Sequence, residues 1–244
     1  MRLDKLLSQS GERSRSEAAK LIRAGFVSVD GTAIASPAYK ADPERNAVCF
    51  QGKRITDHPY QYMMLHKPAG VVTAARDNAA ETVMRLVPNA MRARGVMPVG
   101  RLDKDTTGLL LFTNDGMLAH RLLSPKHHVW KEYRVTVDGM LTDADINAFA
   151  EGIALKDFTA KPAELSIVSA DRAQSTAIVR LREGKYHQVK RMFGARDLQV
   201  TALHRQSFGP LRLDIPCGGI RILRQQEIDA LYAAVQLDGE RHDD

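Results

Sequence analysis

The segment Val99-Gly100-Arg101-Leu102-Asp103-Lys104-Asp105-Thr106-Thr107-Gly108-Leu109-Leu110-Leu111-Phe112-Thr113-Asn114-Asp115-Gly116 constrains the chain more than any other. A dense polar loop, with two carboxylates, Arg, Lys and two Thr between Gly100 and Gly108, runs without a break into apolar residues that read as a buried strand over 109–113. A loop anchored on a buried strand presents a fixed carboxylate to a ligand. The residues alone also leave a plainer reading open, in which Asp103 pairs with Arg101 or caps a turn.

Around that strand, short apolar runs and short helical patterns follow one another irregularly. Strands are predicted over 62–65, 71–74, 96–99, 132–137, 165–169, 176–181 and 198–203, and helices over 80–86, 117–123, 143–151, 187–193 and 225–235. Ala170-Asp171-Arg172-Ala173 has hairpin spacing. The lack of regular strand–helix alternation favours an α+β fold with a mixed, mostly antiparallel sheet flanked by helices.

Upstream lies a different pattern. Leu3, Leu6 and Leu7 share a helical face, and Ser14-Arg15-Ser16-Glu17 has the capping-box form ahead of Ala18, Leu21 and Ile22, with Gly25 closing the second helix. Asp30-Gly31 between alternating apolar residues signals a hairpin. Residues 51–60 lack a period and contain Gly and Pro, so the linker is placed there. The chain thus divides into a two-helix-plus-hairpin module over 1–58 and a larger domain over 59–244, ending in an acidic tail from Asp238 that is expected to fray.

Charge bears on the partner. Lys and Arg number 35 against 29 Asp and Glu, a formal charge of +6, which suits an anionic partner such as nucleic acid. The excess is concentrated: residues 1–25 hold 6 basic side chains against 3 acidic, and residues 182–212 hold 7 against 2. Tyr186, Phe193 and Phe208 interleave with the second group, a composition suited to RNA phosphates and bases, although a solvated helix face would look similar.

Other chemistries find little support. The 2 cysteines, Cys49 and Cys217, are too few for a disulfide framework and lack zinc-site spacing. The N-terminus has no apolar signal region, and no run approaches the ~18 apolar residues of a membrane span, so a reducing, cytoplasmic setting is expected. Nucleophile-elbow, zincin, P-loop and dinucleotide motifs are missing, and adjacent His127 and His128 would point apart on a strand. The expectation is chemistry without metal or cofactor.

Four motifs then bring a resemblance: Leu65-His66-Lys67-Pro68-Ala69-Gly70; Gly100-Arg101-Leu102-Asp103-x-Asp105-Thr106-Thr107-Gly108-Leu109-Leu110; Lys131-Glu132-Tyr133; and Glu183-Gly184-Lys185-Tyr186-His187-Gln188-Val189-Lys190-Arg191-Met192. In this order over nearly the whole chain, they closely resemble the bacterial RsuA family of ribosomal RNA pseudouridine synthases, and the N-terminal module resembles the S4-type RNA-binding domain that precedes their catalytic domain. Chain length, Ser124-Pro125-Lys126-His127-His128 and Lys161-Pro162-Ala163 resemble the small-subunit (16S) enzyme more than its large-subunit relatives.

The resemblance implies that Asp103 is the catalytic aspartate, acting as nucleophile at C1′ or as a base on a ribose proton. A carboxylate of that kind needs a partner, which motif position assigns to Lys190; many pseudouridine synthases have Arg there, so Lys keeps the point charge and gives up bidentate geometry. Tyr133 would stack on the flipped uracil and assist loss of the C5 proton. Arg101 would fill the gap left by the base or grip phosphate, Lys67 and Pro68 would shape the pocket floor, and Asp105 would support rather than catalyse. Arg2, Lys5, Arg13, Arg15 and Arg23, with Lys185 and Arg191, would hold RNA by its backbone. The implied partner is 16S rRNA in a partly assembled small subunit, met by a monomer. A non-catalytic RNA-binding assembly factor, or the same chemistry on 23S rRNA, are the competing readings.

Overall fold

The computed structural model describes residues 1–9, 14–42, 45–55, 60–77 and 79–236. Two compact units emerge: Met1–Gln61 with Val87–Met97 and Thr113–Asp115, and Tyr62–Leu86 with Pro98–Phe112 and Gly116–Asp244. The expected boundary between 58 and 59 and the acidic tail from Asp238 lie outside the described residues.

In the first unit, helices α1 (Leu3–Gln9) and α2 (Arg15–Arg23) precede strands β1 (Val27–Val29) and β2 (Thr32–Ala33). The capping box forms as the sequence indicates: the Glu17 amide donates to Ser14 Oγ at 3.2 Å and the Ser14 amide to Glu17 Oε2 at 2.7 Å. Asp30 and Gly31 take φ of 51° and 82°, the two left-handed positions that a two-residue hairpin turn demands. Leu3, Leu6, Leu7, Ile22, Val27 and Val48 close the core.

The proposed linker is partly strand. Gln51 and Gly52 form a second two-residue turn with φ of 49° and 76°, joining β3 (Val48–Phe50) to β4 (Lys53–Arg54) and giving a sheet in the order β2-β1-β3-β4. Gln-Gly supplies the same backbone geometry as Asp-Gly with a weaker local signal, and the second strand is too short and polar to show a period. Helix α3 (Asn89–Ala93), which the sequence pattern did not indicate, also belongs to this unit.

The second unit is built on β5 (Tyr62–Lys67), β6 (Met97–Pro98), β7 (Thr107–Thr113), β8 (Lys131–Asp138), β9 (Glu164–Ala170), β10 (Gln174–Leu181), β11 (Val200–Phe208), β12 (Leu211–Arg212) and β13 (Ile220–Ile222). Its helices are α4 (Gly116–Leu123), α5 (Asp143–Glu151), α6 (Gln188–Gly194) and α7 (Gln225–Ala234). The sheet runs β13-β5-β7-β11-β8-β10-β9, with β12 beside β11 and β6 beside β7. Strands β7 and β11 are parallel, while β11–β8, β8–β10, β10–β9 and β5–β13 are antiparallel, so the sheet is mixed and mostly antiparallel.

Strand β7 is buried from Gly108 to Thr113, which accounts for its unbroken apolar run. Gly108 has φ +111°, and a Cβ there would fall 2.3 Å from the Arg205 carbonyl oxygen, so this crossing of β7 and β11 admits only glycine. The strand predicted over 71–74 is instead an isolated bridge from Val72 to Thr82, and the helix predicted over 80–86 shrinks to one 3-10 turn at Val83–Arg85. The amides of Val72 and Val83 are drawn to the carbonyls of Glu81 and Val72, a pairing across the loop that neither periodicity contains.

Candidate active site

The polar loop between β6 and β7 is held by backbone contacts from the segment after β5. Thr73 Oγ1 donates to the Leu102 carbonyl at 2.8 Å and accepts from its amide at 3.2 Å, and the Gly70 amide donates to the Lys104 carbonyl at 2.8 Å. Lys67 completes the clamp. Its ammonium, fully buried, donates to the carbonyls of Pro68, Lys104 and Thr106 at 3.0, 3.2 and 2.8 Å. Burial pushes its pKa down to about 8, against the opposing pull of Asp105 and Asp103. Lys67 therefore ties the loop from beneath rather than lining the pocket floor.

The clamped loop presents Asp103, whose side chain is 25% exposed. His187 Nε2 lies 3.4 Å from one carboxylate oxygen and Lys190 Nζ 3.6 Å from the other. The motif-based expectation of Lys190 as the partner of Asp103 is met only in part. Lys190 donates to both oxygens of Asp105 at 2.6 and 2.7 Å, and that pairing holds the Asp105 carboxyl below its usual range. One ammonium thus serves two carboxylates, with its hydrogen bonds directed at the more exposed one. Asp103 has an imidazole nitrogen beside one oxygen and an ammonium beside the other, without a short hydrogen bond from either, which leaves its lone pairs accessible to an electrophile.

A cleft with about 420 Å³ of space, part of it open to solvent, lies against this carboxylate. Tyr133 from β8, Leu181 from β10 and Leu203 from β11 form an apolar wall, facing Arg101, Thr106, Lys185 and His187. Tyr133 is 7% exposed and pairs with Val179 and Arg205 in the strand register. An apolar wall carrying one phenol suits a flat heterocycle with polar edges.

Behind Tyr133 the sheet interior is cationic. Lys131 donates to the Val129 carbonyl at 3.0 Å, and burial, reinforced by nearby Arg205, lowers its pKa to about 8. Arg205 is 2% exposed, donates through Nε to the Leu109 carbonyl at 2.8 Å, and lies 5.2 Å from the Phe208 ring centre. Strand β11 runs on to Phe208, past the predicted end at Leu203, through the polar run His204-Arg205-Gln206-Ser207, because the buried Arg205 guanidinium bonds to β7.

Of the expected RNA-binding residues, Arg101 and Lys185 are exposed and line the cleft with Asp103 and Tyr133. Arg191 is drawn aside: it pairs with Asp157, and both it and Lys185 sit over the Phe158 ring. In the first unit, Arg2 and Arg15 both bond Asp4, whose pKa falls to about 2, chiefly through the hydrogen bond from Arg2. Lys5 and Arg23 are exposed, and Arg13 lies outside the described residues. His187 lies within the fourth motif, and its contact with Asp103 depends on a left-handed backbone, φ 50° and ψ 28°, that no periodicity reports.

The sequence of the family described as RNA pseudouridylate synthase matches residues 61–195, and that of the S4 domain matches residues 1–45. An RNA pseudouridine synthase of Bacillus subtilis, YtzG, is 40% identical over 235 residues, covering 95% of this chain and 98% of that one. Ribosomal small subunit pseudouridine synthase A of Escherichia coli K12 is 39% identical over 234 residues, covering 93% and 98%. A crystal structure of a pseudouridylate synthase superposes with a TM-score of 0.66 at 36% identity, covering 95% of this chain and 99% of the other. With a clamped aspartate beside an aromatic-walled cleft and relatives matched along almost their whole length, the chain belongs to the RNA pseudouridylate synthase family of isomerases, with an S4 domain at its N-terminal end.

Proposed function

We propose that this protein converts one uridine of 16S rRNA to pseudouridine in a partly assembled small ribosomal subunit, acting as a cytoplasmic monomer whose RNA-binding domain ends near residue 58. The observation that carries the reading is the setting of Asp103: a carboxylate with the His187 imidazole beside one oxygen and the Lys190 ammonium beside the other, facing a cleft walled by Tyr133. The small-subunit names of the E. coli and Vibrio cholerae relatives support the choice of rRNA. Among the described residues no helix is long and apolar enough to cross a membrane.

The chemistry is balanced within the substrate. The N1–C1′ bond breaks, uracil turns, a C5–C1′ bond forms, the C5 proton leaves and N1 is protonated. Asp103 either adds to C1′ as a nucleophile or removes a ribose proton; in both cases it stabilises positive charge on the sugar. Lys190 and His187 orient that carboxylate, and Tyr133 stacks on the uracil and takes part in the final proton loss. Arg101 occupies the space vacated by the flipped base. Arg2, Lys5, Arg13, Arg15 and Arg23, with Lys185 and Arg191, engage RNA phosphates, each contact contributing about −0.7 to the slope of log affinity against log salt.

Pseudouridine mapping of both rRNAs from strains carrying the wild-type gene, a deletion and Asp103→Asn tests this. One 16S modification should disappear in the deletion and stay absent with Asp103→Asn. Retention with Asp103→Asn refutes the aspartate assignment, loss from 23S rRNA moves the substrate to the large subunit, and an unchanged map in the deletion leaves a binding factor.

A further inference from the structure

Tyr186 is the most exposed large apolar or aromatic side chain among the described residues, at 66%, and it stands between Lys185 and His187, which both line the Asp103 cleft. Its ring is not loose. It lies flat on His187, with ring centres 3.8 Å apart and planes 17° from parallel. His187 is set in turn by its left-handed backbone and by the 3.4 Å contact of Nε2 with Asp103. That backbone is strained for a non-glycine residue, so the surrounding loop must impose it. Gln188 does so: it is 4% exposed, accepts from the Lys185 amide at 2.9 Å and donates to Glu183 at 2.7 Å, fixing the turn on both sides of Tyr186.

One face of the Tyr186 ring is therefore covered by an imidazole that touches the candidate catalytic carboxylate, while the rest of the side chain is open to solvent. An aromatic recruited for stability would bury its area; this one is held rigid and presented. Lys185 and Arg101 line the Asp103 cleft with charges suited to phosphate. We propose that Tyr186 is a stacking platform for the nucleobase adjacent to the target uridine, holding the strand in register while the uridine itself is turned into the cleft. The inference rests on the enzymatic reading above and adds to it a residue that positions substrate. Every base offers a π-face, so the platform supplies affinity and alignment rather than base identity.

The test uses the full chain and an RNA hairpin carrying the mapped uridine, with 2-aminopurine placed in turn on either side of it. The wild type should quench the fluorescence at one flanking position. Tyr186→Leu should lose that quenching and raise KM by between about 5-fold and about 150-fold, with kcat held at saturating RNA, and Tyr186→Phe should restore both. Val168→Ser, at an exposed position on β9, is the control. The proposal is overturned if Tyr186→Leu quenches and binds as the wild type does, or if it lowers kcat with KM unchanged, since the ring would then only shield the His187–Asp103 contact. Quenching is read without turnover: a protein that quenches but forms no pseudouridine refutes the enzymatic reading alone, and one that forms pseudouridine without quenching refutes the platform alone.

Discussion

Replacing Lys67 by Met removes the ammonium that ties the Asp103 loop while keeping an unbranched side chain of similar length. Lys67 is fully buried and donates to the carbonyls of Pro68, Lys104 and Thr106. Hydrogen bonds from a charged donor contribute about 1.5–3 kcal/mol each, and the net descent of its pKa from 10.5 to about 8, burial set against the pull of Asp105 and Asp103, disfavours the charged form by roughly 3 kcal/mol. The three bonds outweigh that cost, so Lys67→Met should lose about 1–5 kcal/mol of unfolding free energy in urea. Two of the three carbonyls follow Asp103 within three residues, and a displacement of about 1 Å at the reacting group is worth roughly 100-fold in rate. Release of tritium from C5-labelled uridine in 16S rRNA, measured in a single turnover, should slow by about that factor. There is a pH signature as well. The folded chain gives up the Lys67 proton near pH 8 while the unfolded chain holds it to about 10.5, so this lysine's contribution to stability rises with pH across that window, and the gap between wild type and Lys67→Met should widen there. A variant within about 0.5 kcal/mol of the wild type, with an unchanged single-turnover rate, would refute the clamp.

Three further outcomes are expected. Gly108→Ala should fail to accumulate as folded protein or melt far below the wild type in calorimetry, because its methyl would meet the Arg205 backbone; a normal melting temperature would show that β7 and β11 can part at no cost. Asp105→Asn should leave urea stability within about 0.5 kcal/mol, since that side chain is 71% exposed, and slow tritium release by about 10-fold as Lys190 loses its closer partner; a loss equal to that of Asp103→Asn would transfer the catalytic role to Asp105. Asp4 has a folded pKa depressed to about 2, so it stabilises the first unit above the ordinary carboxylate range and that support is lost as pH falls through about 2; Asp4→Asn should be less stable already at pH 7 and show a flatter acid limb in a pH series of thermal melts.

Where a signal spans a few residues, sequence and structure agree closely. Ser14 with Glu17, Asp30 with Gly31, and the helix over Asp143–Glu151 all stand where their patterns indicate, because a cap, a turn or one helical face is settled by neighbours in the chain. Polar residues inside strands break that agreement. Arg205 and Ser207 read as a strand end, and Gln51-Gly52 with Lys53-Arg54 as a linker; burial of a guanidinium and pairing with β3 override local polarity in the two cases.

Asp103, Tyr133 and Lys190 could be named as candidates from motif order alone, and the basic character of the cleft rim follows from composition. Their chemistry depends on distances that motif order does not encode. Only the tertiary structure divides Lys190 between Asp103 and Asp105, brings His187 to Asp103, buries Lys67 under the loop and leaves Tyr186 facing solvent. Residue types determine which charges and rings the chain has to offer; partner choice among charges decays over a few ångströms, and separations of that size are set by the packing of strands that lie far apart in the chain.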